Sequence, residues 1–77
     1  MSLYHMPTCP YCVKVRDVIA ELGMTDQIEL RDKVANPAFG EELKAATGKT
    51  MVPCLRIGDQ WMHESGDIIS YLRGLKG

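Results

Sequence analysis

Hydrophobic positions along the chain switch between a period near two and a period near 3.6, and the switches mark out seven elements. Leu3-Tyr4-His5-Met6 is a short apolar run that stops at Pro7-Thr8 and reads as a strand. Val15, Val18, Ile19 and Leu22 then recur at i, i+3, i+4 and i+7, one face of an amphipathic helix that ends near Leu22 with Gly23 beyond it. Gln27 to Asp32 alternates, with Ile28 and Leu30 on one face and Glu29 and Arg31 on the other, which predicts a second strand. Asn36-Pro37 is a cap followed by proline at the first helical position. Phe39, Leu43 and Ala46 mark the inner face of that helix, and Gly48 stops it. Met51 to Ile57 is a third strand interrupted by Pro53. Gly58-Asp59 turns the chain, and Trp61 to His63 returns as its hairpin partner. Ser65 caps a last helix striped by Ile68, Ile69, Leu72 and Leu75, with Asp67 in its first turn.

The order is therefore β-α-β-α-β-β-α. The helix between the first two strands makes them a parallel pair with a right-handed connection. A four-stranded mixed sheet with helices on both faces is the layered α/β solution for that order. No linker, internal repeat or low-complexity segment interrupts it, so residues 1–77 read as a single domain.

Composition narrows the classes of function. Hydrophobic residues make up 45% and charged residues 25%, ordinary for a soluble globular chain. A net charge of −1 gives no electrostatic reason to expect nucleic acid or an anionic membrane as partner. No run has the apolar length of a membrane span, and the N-terminus lacks a basic start with a long apolar core. The expectation is a cytoplasmic protein, a compartment that keeps thiols reduced. Three cysteines do not make a structural disulfide framework. A monomer is the default for so small a domain.

The chemistry concentrates in Cys9-Pro10-Tyr11-Cys12, directly ahead of the first helix. Pro10 suits the first helical position, because its φ is already helical and its missing N–H would have had no partner there. Cys9 then sits at the N-cap, facing unpaired backbone N–H groups and the positive end of the helix dipole, both of which favour thiolate. Cys12 lies one turn inside, more shielded but within reach of a mixed disulfide on Cys9. With this Cys-x-x-Cys after the first strand, the order of elements is the thioredoxin-like arrangement. A zinc site needs four ligands, and Cys54, His5 and His63 are scattered singly, so no metal site is expected.

Pro53 has two readings: an edge or bulge position, or a cis proline that presents the Val52 backbone to a substrate's main chain. Glu64-Ser65-Gly66-Asp67 also has two, as a simple helix cap or as an anion site of free N–H groups at Ser65, Gly66 and Asp67. Cys54 reads as a small buried hydrophobe, and His5 and His63 as structural or exposed.

These motifs resemble the dithiol glutaredoxins. Cys9-Pro10-Tyr11-Cys12 is that family's typical active site, Val52-Pro53 matches two positions of its Thr-Val-Pro signature, and Ser65-Gly66-Asp67 is similar to its last helix start. The second half, with Val52-Pro53-Cys54-Leu55, Glu64-Ser65 and Ile69-Ser70-Tyr71-Leu72, also resembles the N-terminal domain of glutathione transferases. Both families share the thioredoxin-like fold and glutathione. The resemblance implies an electron-transporting, glutathione-dependent thiol–disulfide oxidoreductase with a redox-active disulfide, acting on glutathionylated or disulfide-containing proteins. Cys9 would be the nucleophile and Cys12 the resolving thiol. Tyr11, Val52, Pro53, Ser65, Gly66 and Asp67 would bind glutathione, a co-substrate and not a tightly bound cofactor. The chain departs from many dithiol glutaredoxins at Met6, where they have lysine, and at Met51, where they have threonine. Lys49, Arg31 or Lys33 are the cations that could substitute. The alternatives are a non-catalytic module in which Cys9 and glutathione ligate an iron–sulfur cluster or another metal, and a glutathione transferase fragment.

Overall fold

A computed structural model describes residues 1–76. Its elements are β1 (Ser2–His5), α1 (Pro10–Glu21), β2 (Glu29–Asp32), α2 (Pro37–Thr47), β3 (Cys54–Ile57), β4 (Gln60–Met62) and α3 (Ser65–Lys76). The strands form one sheet in the order β2-β1-β3-β4, with β1 and β2 parallel and the two remaining pairs antiparallel. The order of elements, the mixed sheet and the thioredoxin-like layering are those the hydrophobic pattern predicts.

Alternation along the central strands divides the interior into two cores. Leu3 and Leu55, which are register partners, point to the face covered by α1 and α3, where they meet Val15, Ile19, Ile68 and Leu72. Tyr4 and Cys54, the next register pair, point the other way and meet Leu43 of α2, with Phe39, Val52 and Trp61 packed at the margin. Full burial of each large aliphatic side chain contributes about 1.5–3 kcal/mol.

Local chemistry sets the helix ends. Asn36 Oδ1 accepts from the Ala38 N–H at 3.2 Å, and Pro37 opens α2. Gly48 closes α2 at φ 76°, a left-handed conformation that costs a glycine nothing, and its N–H returns to the Lys44 carbonyl at 2.7 Å.

Several details differ from the pattern. Leu30 shares the face of Leu3, yet it is 48% exposed, because β2 is an edge strand that the helices do not fully cover. Ile28 precedes β2 and is buried in the α1/α3 core. Ala46 is exposed, so α2 presents a narrower buried face than expected. Leu75, in the last turn of α3, is 49% exposed. The third strand starts at Cys54 and not at Met51, since Pro53 cannot donate to a ladder. Ser65 is the first residue of α3 and not its cap, for the carbonyl of Glu64 accepts the Ile68 N–H at 2.9 Å.

Candidate functional site

The loop after β1 delivers Cys9 to the N-terminus of α1. Its N–H bonds back to the Met6 carbonyl at 3.2 Å, and its own carbonyl accepts the Val13 N–H at 3.0 Å, so Cys9 occupies the N-cap with Pro10 at the first helical position. Cys9 is partly exposed, Cys12 is fully buried, and both are free thiols.

The two thiols sit in opposite electrostatic settings. Partial burial pushes the Cys9 thiol up. It is outweighed by hydrogen bonds from the Cys12 N–H, the Cys12 thiol and the Tyr11 N–H, together with the charge of Lys33, and its pKa falls below the ordinary value. Those N–H groups are donors that the first turn of any α-helix leaves without an intrahelical acceptor. Burial dominates at Cys12 and pushes its pKa up to about 11. A Met6 backbone hydrogen bond and the Arg16 charge act against that rise, while Cys9 adds to it. An accessible thiol with thiolate character beside a shielded protonated one is an arrangement that can carry thiol–disulfide exchange.

Lys33 supplies the nearby cation. It reaches from the turn after β2 to donate to the Thr50 carbonyl at 2.8 Å, on the segment leading to Pro53. Arg31 is committed elsewhere, over the Tyr4 ring and paired with Glu29 and Glu42.

The Val52–Pro53 peptide bond is cis, and the Val52 carbonyl lies 4.0 Å from Cys9 Sγ. A cleft of about 270 Å³ opens here. Four of the expected glutathione-binding residues line it: Tyr11, Val52, Pro53 and Ser65. Tyr11 is 58% exposed, a ring free to lie against a bound molecule. Gly66 and Asp67 follow in the first turn of α3 and are exposed, but they do not line the cleft.

Met51, His63 and Glu64 complete the wall and were not expected there as site residues. Glu64 carried a signal as the acidic residue directly ahead of Ser65 in the last helix start, and Met51 as the residue in the threonine position of the Thr-Val-Pro signature. His63 reaches the wall because β4 ends at Met62 and the chain then crosses toward α3. Cys54, directly after Pro53, is fully buried, and its thiol is pushed up to about 11 by that burial.

Residues 3–77 match the N-terminal domain of glutathione S-transferases. The chain belongs to that family. Like this family member, two solved structures superpose over the whole chain: a glutathione S-transferase domain-containing protein of Marinobacter aquaeolei VT8 (25% identity, TM-score 0.77) and Gtt2 of Saccharomyces cerevisiae (26% identity, TM-score 0.79). The chain spans 39% and 38% of their lengths. A "Probable Thioredoxin" of Archaeoglobus fulgidus is 28% identical over 81 residues, covering 100% of this chain and 89% of that protein. "Glutaredoxin-1" of Mus musculus is 29% identical over 68 residues, covering 83% of this chain and 64% of that one. This glutathione S-transferase N-terminal-type domain is thus a thioredoxin-fold protein of a redox or transferase family, with relatives of the thiol-oxidoreductase kind. Among the described residues, no helix is long and apolar enough to cross a membrane.

Proposed function

We propose that the chain is a glutathione-dependent thiol–disulfide oxidoreductase of the glutaredoxin type, a single catalytic domain working in a reducing compartment such as the cytoplasm. The observation that carries this reading is the contrast between the two thiols at the start of α1: Cys9 accessible and favoured as thiolate, Cys12 buried and held protonated.

In the glutathionyl cycle the Cys9 thiolate attacks the glutathione sulfur of a mixed disulfide. The target thiolate leaves and takes up a proton, and Cys9 carries the glutathionyl group. A second glutathione, attacking as thiolate, removes that group as glutathione disulfide and restores the Cys9 thiolate. Electrons come from glutathione throughout. With a protein disulfide, Cys9 attacks one of its sulfurs, and Cys12 attacks the resulting mixed disulfide and releases the reduced target. Two glutathiones then reduce the Cys9–Cys12 disulfide and leave as glutathione disulfide. The bound glutathione would pair its cysteinyl backbone with Val52 beside Pro53 and lie against Tyr11. Its γ-glutamyl carboxylate would meet the N–H groups of Ser65, Gly66 and Asp67 at the positive end of α3.

The test is glutathione-dependent reduction of a small glutathionyl mixed disulfide by wild type and by Cys9→Ser. Turnover in the wild type and none in Cys9→Ser is expected. Absence of turnover in the wild type, with conjugation of glutathione to an electrophile instead, would move the chain to the transferases.

A further inference from the structure

Close to the dithiol in the fold lies a small, partly buried polar cluster that the cycle above does not use. Arg16 lies four residues beyond Cys12 on α1, so the two side chains leave neighbouring points on one helix face. Its Nη2 donates to the Pro7 carbonyl at 3.1 Å, which fastens the guanidinium to the loop that carries Cys9. Its Nε is buried without a partner, and so is Nδ1 of His5, a residue only 5% exposed at the end of β1. Asp32 faces His5 in the β1–β2 register, and its Oδ1 is taken by the N–H groups of Val34 and Ala35. Burial lowers the pKa of His5 and raises that of Cys12, and backbone N–H groups hold Asp32 down; the Arg16 charge adds a smaller downward pull on all three.

A guanidinium tied to a backbone carbonyl and left with an unused buried N–H is an uncommon way to spend a charge, since such donors are usually satisfied. Its neighbour Cys12 is the group on this face that must become an anion. We propose that Arg16 is the positioning residue of the resolving half-reaction: anchored on Pro7 one turn from Cys12, its guanidinium stabilises the Cys12 thiolate as it attacks the mixed disulfide on Cys9. This inference rests on the oxidoreductase reading above. In the step, Cys12 gives up its proton, a bond forms between the Cys12 and Cys9 sulfurs, and the bond from Cys9 to the target sulfur breaks. The departing target thiolate takes up a proton, so no outside oxidant or reductant is required. The glutathionyl cycle does not pass through Cys12 and has no need of Arg16.

Arg16→Gln keeps a donor for Pro7 and removes the charge; Arg16→Lys keeps the charge. Turnover of a protein disulfide should fall about tenfold in Arg16→Gln, the order expected when an opposite charge beside an ionising thiol is lost. Turnover of a glutathionylated peptide should fall much less, and Arg16→Lys should restore most of the disulfide activity. A second reading of the same charge uses Cys9→Ser/Cys54→Ala protein, in which Cys12 is the one remaining thiol. Its alkylation should slow when Arg16→Gln is added. An active wild type whose Arg16→Gln variant loses both activities equally, or neither, or whose Cys12 alkylates unchanged, would overturn the assignment of Arg16 alone. A wild type inactive toward both substrates would instead overturn the oxidoreductase reading beneath it.

Discussion

Cys9 Sγ lies 4.0 Å from the carbonyl oxygen of Val52, a residue 43 positions further along the chain. The contact joins the start of α1 to the segment before β3, so the nucleophile candidate and the backbone expected to hold its substrate share one end of the central strands β1 and β3. Cys12, one turn into the helix, has no such opening.

Lys33 is the cation that acts on Cys9, and its removal should be legible in thiol reactivity. Lys33→Met should slow alkylation of Cys9 at neutral pH by about two- to fivefold, the scale of a partly screened surface charge. Mass-spectrometric labelling rates for Cys9 check this. An unchanged rate would leave the thiolate character to the Cys12 and Tyr11 N–H groups and the Cys12 thiol.

Asp67 tests the last helix. If the α3 N-terminus receives the γ-glutamyl end of glutathione, its N–H groups meeting the carboxylate and the Asp67 side chain accepting from the neighbouring ammonium, Asp67→Ala should raise the KM for glutathione by about tenfold or more, as loss of a hydrogen bond to a charged group implies. The melting temperature should hardly move, because Asp67 is exposed. A lowered melting temperature with unchanged KM would assign Asp67 to stabilising the helix alone.

The two buried thiols tie stability to alkaline pH. Cys12 and Cys54 are both pushed up to about 11 from an ordinary 9.0. Between those values the unfolded chain releases protons that the folded chain retains, so unfolding becomes easier as pH rises. The contribution is complete below about pH 9 and is lost through pH 11. Melting temperatures over that window should fall, and they should fall less in Cys54→Ala than in the wild type.

Tyr4 marks a structural centre on the opposite face. Its buried hydroxyl donates to Glu42 and accepts from Arg31 Nη1 at 2.8 Å, while its ring packs against Phe39 and Trp61. Tyr4→Phe should cost about 0.5–1.5 kcal/mol in a denaturant titration and leave turnover intact. Lost activity at full stability would connect this face to the chemistry.

Most of the architecture was legible because burial follows periodicity. Leu3 and Tyr4 commit adjacent positions to opposite faces, and Val15, Ile19, Ile68 and Leu72 mark the helix sides that meet Leu3. The N-cap place of Cys9 was legible for a local reason: Pro10 fits only a few positions in a helix. Exposure of Leu30 was not, because alternation fixes a strand's faces but not whether it lies at the sheet's edge. His63 in the cleft was not singled out either, nor was the choice among Lys49, Arg31 and Lys33, the three cations named from the sequence, which falls on Lys33. Each depends on where two distant loops meet, and no periodicity encodes that.

The central claim is that Cys9 suffices for glutathionyl exchange and that Cys12 only resolves. Turnover of a glutathionylated peptide and of a protein disulfide, measured in parallel for wild type, Cys9→Ser and Cys12→Ser, tests it most directly. Cys9→Ser should be inactive toward both substrates. Cys12→Ser should keep most of its activity on the glutathionylated peptide and lose much of it on the protein disulfide. A Cys12→Ser protein as inactive as Cys9→Ser toward the glutathionylated peptide would contradict the account.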